Sequence, residues 1–240
     1  MRIHPNETIG DIVAADYRAA AVFERFGLDF CCGGKRTLNE VCQQPTVDIG
    51  ALLRALDELP GGEGVPEDPA AAWPLDTLVE HILSRHHAYV KSAIPTLAAH
   101  TARIAAVHGG RSPELPGLVR QFAAVADGLT LHMAKEEQIL FPYIRSLVDA
   151  GRAGRRIGSS PFGTVHNPIR MMEAEHEEAG DEMRLIRELT RDYALPDFAC
   201  ATYRACFDEL QEFERDLHRH VHLENNILFP AAIRLEERLS

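Results

Sequence analysis

The chain has 240 residues, 45% of them apolar, which suffices for one large domain or for a small domain and a medium one. Its formal net charge is −11, and the only basic cluster is the short stretch 152–156, so nucleic-acid binding is not expected. No stretch approaches the roughly 18 consecutive apolar residues of a membrane-spanning helix, which excludes membrane insertion.

The beginning of the chain is predicted to form three short helices. Apolar residues at steps of three and four predict an amphipathic helix over 8–25. After the segment 29–34, which reads Asp-Phe-Cys-Cys-Gly-Gly, Thr37 and Glu40 have the spacing of a capping box and should open a second helix. A third helix is predicted from about 46 to 59.

A Pro/Gly-rich stretch at 60–73 is predicted to be a linker. It separates a small N-terminal helical domain, residues 1–59, from a second domain, residues 74–240. The second domain shows helical periodicity and no convincing strand pattern, so the fold class is predicted to be all-α.

Four long helices account for the second domain. They are predicted at 75–108, 114–150, 166–193 and 197–238. Pro95, Pro142 and Pro230 fall inside these patterns, and we expect them to kink or shorten the helices because proline lacks the backbone N–H.

The second and fourth of these helices carry two copies of one pattern. His132 precedes Glu136, and His220 precedes Glu224, by four residues in each case, so each pair shares one helix face. A single pair of this kind is usually an ordinary exposed pair, but both copies continue into the same Ile-Leu-Phe-Pro sequence. Apolar residues predict that this face points into the core: Ile139, Phe141, Ile227 and Phe229.

A further histidine precedes each copy on the preceding helix at a nearly equal distance along the chain. In an up-down bundle such residues face each other across the core. The predicted metal ligands are therefore His87, His132, Glu136, His176, His220 and Glu224. Bridging carboxylates reduce the repulsion between two cations, and imidazoles complete their coordination; this donor set is compatible with Fe, Mn or Zn, and helical bundles favour iron.

Together with the segments 29–34 and 168–176, these residues make the chain resemble the repair-of-iron-centres family of hemerythrin-like di-iron proteins. The resemblance covers almost the whole chain. It implies a small N-terminal helical domain that carries the cysteine pair, followed by a hemerythrin-like up-down four-helix bundle. It also implies two non-haem iron ions, bridged by an oxo group and carboxylates, at the six positions above. His86 is an alternative to His87.

The family resemblance further implies repair of iron–sulfur clusters damaged by nitrosative or oxidative stress. Iron donation or redox chemistry with nitric oxide would take place at the di-iron centre, and whether the chain is an enzyme stays open. Damaged iron–sulfur proteins would be its partners, with nitric oxide or oxygen as small ligands. The alternative is a hemerythrin-like protein that binds or senses oxygen or nitric oxide without repair. A ferritin-like store is disfavoured because ferritin-like sites use Glu-x-x-His.

Three further residues are candidates for the chemistry. Cys31 and Cys32 precede a helix start, whose dipole and free N–H groups could lower a thiol pKa and support redox chemistry or iron passing; the alternative is a tight turn of small residues. Glu175 adjoins His176 and is predicted near the mouth of the site as a proton carrier or transient iron ligand.

His222 has a spacing from His220 that predicts a surface or rim position.

The cysteines also indicate a compartment. Five cysteines show no pairing pattern, and two of them are adjacent, a geometry that rarely permits a relaxed disulfide. The first residues do not resemble a signal peptide. A cytoplasmic protein is therefore predicted. We also expect the chain to be a monomer or a homodimer.

Overall fold

A computed structural model describes residues 4–43, 47–59, 69–158 and 160–240. The N-terminal helices within this part of the chain are α1 (Ile9–Ala15), α2 (Arg18–Arg25), α3 (Leu38–Val41) and α4 (Ile49–Asp57). Side chains cap three of their N-termini: Thr8 for α1, Thr37 for α3 and Asp48 for α4. The predicted capping box of Thr37 and Glu40 is confirmed.

The helix predicted over 8–25 is two helices in the structure. Asp16 has an extended backbone between them. Its carboxylate accepts a hydrogen bond from the backbone N–H of Arg18 at 3.0 Å and pairs with the Arg18 guanidinium. A short acidic side chain that bonds to nearby backbone competes with the helical hydrogen bonds, so Asp16 ends α1 and starts α2. Periodicity alone does not detect such a break.

The rest of the described chain contains an up-down bundle of four helices, which confirms the all-α fold. Helix A consists of α5 (Leu75–His81), π1 (Ile82–His87) and α6 (Ala88–His108); helix B of α7 (Leu115–Lys135), π2 (Glu136–Leu140) and α8 (Phe141–Arg152); helix C of α9 (His166–Leu189); and helix D of α10 (Ala201–His222), π3 (Leu223–Leu228) and α11 (Phe229–Leu239). Because α6 packs against α7 and α10 whereas α5 packs against α8, neighbouring helices run antiparallel.

The predicted linker falls largely outside the described residues, which resume at 69. From there a 3₁₀ helix, Pro69–Ala72, leads into helix A. None of the described helices combines the length and the apolar character that crossing a membrane requires.

The prolines neither end nor shorten the bundle helices. Pro95 lies inside α6, which continues through it. Pro142 and Pro230 each follow a π turn directly, at the second residue of α8 and α11. In both turns the backbone N–H before the proline, of Phe141 or Phe229, bonds to the carbonyl oxygen five residues earlier. Such π turns insert an extra residue and often occur at functional sites.

A polar layer divides the apolar core. One cluster contains residues of the N-terminal helices together with part of the bundle, so that Phe30 and Leu217 belong to the same core. A second cluster lies around Phe141 and Phe229. On helix D the boundary between the clusters falls at His222, directly beside the predicted ligands. The N-terminal helices therefore pack on the bundle rather than standing apart from it.

Candidate metal centre

The structure brings all six predicted ligand residues into one buried cluster at the level of the π turns. His87 is the last residue of π1, Glu136 is the first of π2, and Glu224 lies in π3. The other three lie within α helices: His132 in α7, His176 in α9 and His220 in α10. All four helices of the bundle thus contribute.

The cluster consists of two overlapping groups that share both carboxylates, Glu136 and Glu224. The group called site 1 adds His87 and His220, and the group called site 2 adds His132 and His176. In each group the potential ligand atoms lie within 4.8 Å of one another. Each site therefore takes one histidine from each half of the sequence repeat.

The histidines approach the carboxylate oxygens through Nε2. These distances are 3.3 Å for His87–Glu136 and for His132–Glu136, and 3.0 Å for His176–Glu224 and for His220–Glu224. Both carboxylates are 0% exposed. Since buried carboxylates are costly without strong partners, the two side chains require positive charge beside them.

Contacts from outside the cluster determine the tautomers of both site 2 histidines. Nδ1 of His132 is 3.0 Å from the carboxylate of Glu175, and Nδ1 of His176 is 2.9 Å from the amide oxygen of Asn225. An acceptor at Nδ1 places the proton there and leaves a lone pair on Nε2. The two Nε2 atoms are 3.0 Å apart. Two lone pairs at that separation repel unless a cation or a proton lies between them.

The electrostatics of the cluster also favour cations. Among the described ion pairs, Glu136 and Glu224 have histidines as their only partners. Burial acts to raise the pKa of Glu224, but His220 and His176 outweigh it and hold this pKa well below its usual range. Burial acts to lower the pKa of His132, yet the two carboxylates raise it to about 9. A donor set of imidazole and carboxylate in such a field suits Fe, Mn or Zn.

Two polar residues that support the ligands were missed in the sequence. Glu137 Oε1 lies 2.7 Å from Nδ1 of His87 and 2.6 Å from the ammonium group of Lys91. Asn225 supports His176 in the corresponding way. Glu137 and Asn225 directly follow the shared carboxylates in the repeat, and that equivalence was the signal that could have identified them. Such partners orient the ligand imidazoles.

Glu175 lies beside the cluster rather than within either ligand group. One of its oxygens contacts Nδ1 of His132, and the other pairs with Lys135. Its side chain is 22% exposed. This position lets Glu175 orient His132 while remaining accessible to solvent.

His86 and His87 occupy different environments. His87 belongs to site 1, whereas Nδ1 of His86 lies 3.0 Å from Asp216. The His86 ring stacks on that of His220, with centroids 5.6 Å apart and an interplanar angle of 8°. The geometry thus places His87 among the candidate ligands and His86 against one of them from outside.

Two positions near the cluster differ from the sequence predictions. His222 was expected at the surface or rim but is fully buried, because the rings of Tyr17 and Phe30 cover it at 5.6 and 5.9 Å. Ile139 was expected to face the core but is 52% exposed, whereas its counterpart Ile227 is buried. Both isoleucines lie at equivalent positions of a π turn, so the difference comes from what packs outside the turn: α1 packs against π3, and Ala14 of α1 packs on the cluster that contains Ile227.

The cysteine-containing segment 29–34 docks on π3. Asn225 donates a hydrogen bond to the carbonyl oxygen of Cys31 at 3.2 Å, and Asn226 donates one to that of Phe30 at 3.1 Å. Gly34 permits this approach, because a Cβ atom there would lie 2.5 Å from the Phe30 carbonyl oxygen and 2.6 Å from the Asn226 side chain. Since Asn225 also contacts His176, one amide connects the cysteine segment to a candidate ligand.

The predicted lowering of a thiol pKa is wrong for Cys31. The helix that follows, α3, has only four residues, and the side chain of Thr37 already caps it. A hydrogen bond with Cys32, burial and the nearby carboxylate of Asp29 hold the pKa of Cys31 well above its usual value. The Cys31 thiol therefore stays protonated at neutral pH and is a weak nucleophile.

Comparisons with known proteins match two separate families on either side of the predicted linker. Residues 5–60 match the family ScdA_N, a domain of unknown function, and residues 78–232 match the hemerythrin HHE cation binding domain. Relatives from Yersinia pseudotuberculosis and Yersinia pestis, named iron–sulfur cluster repair protein YtfE, are 38% identical over 234 residues. The alignment covers 96% of this chain and 98% of each relative.

Proposed function

This chain belongs to the repair-of-iron-centres family, and we propose that it repairs damaged iron–sulfur clusters by means of a di-iron centre in sites 1 and 2. The full-length similarity to relatives named for cluster repair supports the proposal. The hemerythrin HHE match over the bundle supports a metal-binding role for the same helices. We further propose a cytoplasmic protein that acts under nitrosative or oxidative stress.

The observation that carries the proposal is the pair of buried ligand groups that share Glu136 and Glu224. In each site two histidines and the two shared carboxylates would hold one metal ion, and the ion would have further positions for an oxo group or a small ligand. When bound, two iron ions would supply redox chemistry towards nitric oxide or oxygen, or iron for donation. Site residues outside the ligand set orient the imidazoles and keep them in the tautomer that presents Nε2 to the metal.

A division of labour between two domains follows from this proposal. The bundle, residues 74–240, holds the metal ions, and the N-terminal domain, residues 1–59, covers helix D with its cysteine pair. Glu175 connects a buried ligand to the partly exposed Lys135, and Glu137 connects another to the exposed Lys91. These two paths are where protons can be exchanged with solvent as metal ions enter or leave.

Iron analysis tests the metal centre. We expect about two iron atoms per purified chain, with the Mössbauer spectrum of a coupled pair. Glu136→Ala and Glu224→Ala should each lose most of this iron, because each carboxylate belongs to both sites. Glu178→Ala, an exposed position on α9, is the control and should retain it. Unchanged iron in both site variants would contradict the assignment.

Reactivation of an enzyme whose iron–sulfur cluster has been damaged by nitric oxide tests the repair activity. The iron-loaded protein should restore the activity, whereas Glu224→Ala should not. A protein that holds two iron atoms and binds oxygen or nitric oxide reversibly, yet restores nothing, would support the alternative of a hemerythrin-like binding or sensing protein.

A further inference from the structure

We propose that Asp29, Cys31 and Cys32 form a third cation site that takes one thiophilic divalent cation, such as Zn²⁺ or Fe²⁺. The sulfur atoms of both cysteines and a carboxylate oxygen of Asp29 lie within 4.8 Å of one another. None of these residues belongs to site 1 or site 2. The inference therefore does not depend on the proposed di-iron centre.

Hydrogen bonds hold the three donor groups together before a cation binds. Oδ1 of Asp29 accepts the backbone N–H groups of Cys31 and Cys32 at 3.0 and 2.9 Å, and the Cys31 thiol at 3.2 Å. Gly33 keeps the turn tight, because a Cβ atom there would lie 2.6 Å from the Asp29 carbonyl oxygen. This order lowers the entropic cost of assembling the ligands.

The site has an open side. Cys31 is buried, whereas Cys32 is partly exposed and borders a cavity of about 450 Å³ that His218 and Gly180 also line. Gly180 lies beside the Cys32 sulfur, which would be in ordinary van der Waals contact, at 3.6 Å, with a Cβ atom added there. Three protein ligands with a fourth position open to a cavity distinguish this site from closed structural metal sites, which have four protein ligands.

The donor set determines which cation fits. Two thiolates and one carboxylate favour Zn²⁺ or Fe²⁺ over Mg²⁺ or Ca²⁺, which prefer oxygen ligands. On binding, the cation forms two metal–sulfur bonds, and each thiol that still carries its proton releases it to solvent; nothing is oxidised or reduced. The same binding would convert the weakly nucleophilic Cys31 thiol into a metal thiolate.

Cobalt titration of the full-length, iron-containing protein tests the site. Co²⁺ bound by thiolates gives a sulfur-to-cobalt charge-transfer band in the near ultraviolet, which is measured as the difference from the spectrum recorded before Co²⁺ is added. Co²⁺ in sites 1 and 2 would not produce this band, because these sites contain no sulfur ligand. We expect one equivalent of Co²⁺ to produce the band and Zn²⁺ to displace it. Absence of the band in the parent protein would overturn the proposal.

Variants locate the ligands. Cys32→Ser should abolish the band, and Asp29→Asn should weaken Co²⁺ binding about 10-fold or more while keeping an acceptor for the turn. Cys42→Ser, a partly buried thiol elsewhere among the N-terminal helices, is the matched control and should behave like the parent protein. A band that survives in Cys32→Ser would overturn the proposal. If Cys32→Ser does not fold, unchanged Co²⁺ affinity in Asp29→Asn would overturn it instead. The Mössbauer signal of the coupled iron pair, measured in every variant, reports on sites 1 and 2 separately from the third site.

Discussion

The two π turns of helices B and D present equivalent carboxylates to the centre but turn their neighbouring residues to different surroundings. In π2 of helix B, Glu137 follows Glu136 and forms an ion pair with Lys91 at the surface. In π3 of helix D, Asn225 and Asn226 follow Glu224 and bond to the cysteine segment. The repeat is thus symmetric in its inner ligands and asymmetric in what supports them.

This difference shows how one pattern serves two purposes. The helix B copy is supported by an ion pair that solvent can reach, Glu137 with Lys91, and both of these residues belong to the bundle rather than to the N-terminal helices. The helix D copy is supported by neutral amides beneath the N-terminal helices, which suits a buried contact because amides cost less to desolvate than charges. Docking of the cysteine segment and orientation of His176 are therefore coupled through Asn225.

Gly34→Ala should produce the largest effect, because it breaks the docking on helix D. The added Cβ atom would clash with a backbone oxygen at 2.5 Å and with the Asn226 side chain. We expect a loss of about 3 kcal/mol in the free energy of unfolding, measured by chemical denaturation. Gly128→Ala in α7 is the control, since nothing lies within 4 Å of its added Cβ atom. The free energy of unfolding of that variant should rise by about 0.5–1 kcal/mol. Equal stability of the two variants would contradict the role of Gly34 in docking the cysteine segment on helix D.

Asn225→Ala and Glu137→Ala compare the two supports directly. Each removes the acceptor at Nδ1 of a candidate ligand, so we expect each to lower iron affinity about 10–100-fold in a chelator competition. Asn225→Ala also frees the Cys31 carbonyl group and should make the cysteines react faster with an alkylating reagent. Glu137→Ala should leave that rate unchanged. Equal alkylation rates in the two variants would contradict the proposed coupling between the cysteine segment and His176.

Proton release should differ between the two copies of the repeat. Burial lowers the pKa of His220, whereas the carboxylates raise that of its counterpart His132 to about 9 despite burial. A metal ion must therefore displace a proton from His132 at neutral pH, and affinity should fall by up to about tenfold per unit as the pH drops below 9.

Mn²⁺ titration of metal-free protein over a range of pH values measures this dependence, because Mn²⁺ suits imidazole and carboxylate ligands better than the thiolates of the proposed third site. Glu175→Gln removes a carboxylate that helps to raise the pKa of His132. We expect its affinity to begin falling at a lower pH than that of the parent protein. The same pH dependence in both proteins would show that Glu175 does not set the proton affinity of this histidine.

Asn226→Ala should have the smallest effect. It removes hydrogen bonds to the Phe30 carbonyl oxygen and to His222 without touching either metal site. We expect a loss of about 1 kcal/mol in stability and unchanged iron content. A substantial loss of iron would show that the contact of Asn226 with the Phe30 carbonyl oxygen supports the centre in addition to the contacts that Asn225 and Cys32 make with His176.

Much of the fold and of the candidate site could be predicted from the sequence. The four bundle helices follow from long helical patterns, and the capping box at Thr37 was visible from two residues. The six residues of the cluster could be recognised because the pattern occurs twice. The break at Asp16 could not, since it depends on one side chain bonding to the next turn of backbone. The exposure of Ile139 could not either, because its counterpart Ile227 lies in an equivalent π turn and is buried where α1 packs against helix D.

By itself, the sequence determined which residues share a helix face, because helical spacing relates only residues within a turn or two of one another. The pairing of histidines across the repeat, His87 with His220 and His132 with His176, was decided by the tertiary structure. So was the burial of His222 under the N-terminal helices. These contacts join residues far apart in the chain, and their geometry depends on how whole helices pack, which no local spacing encodes.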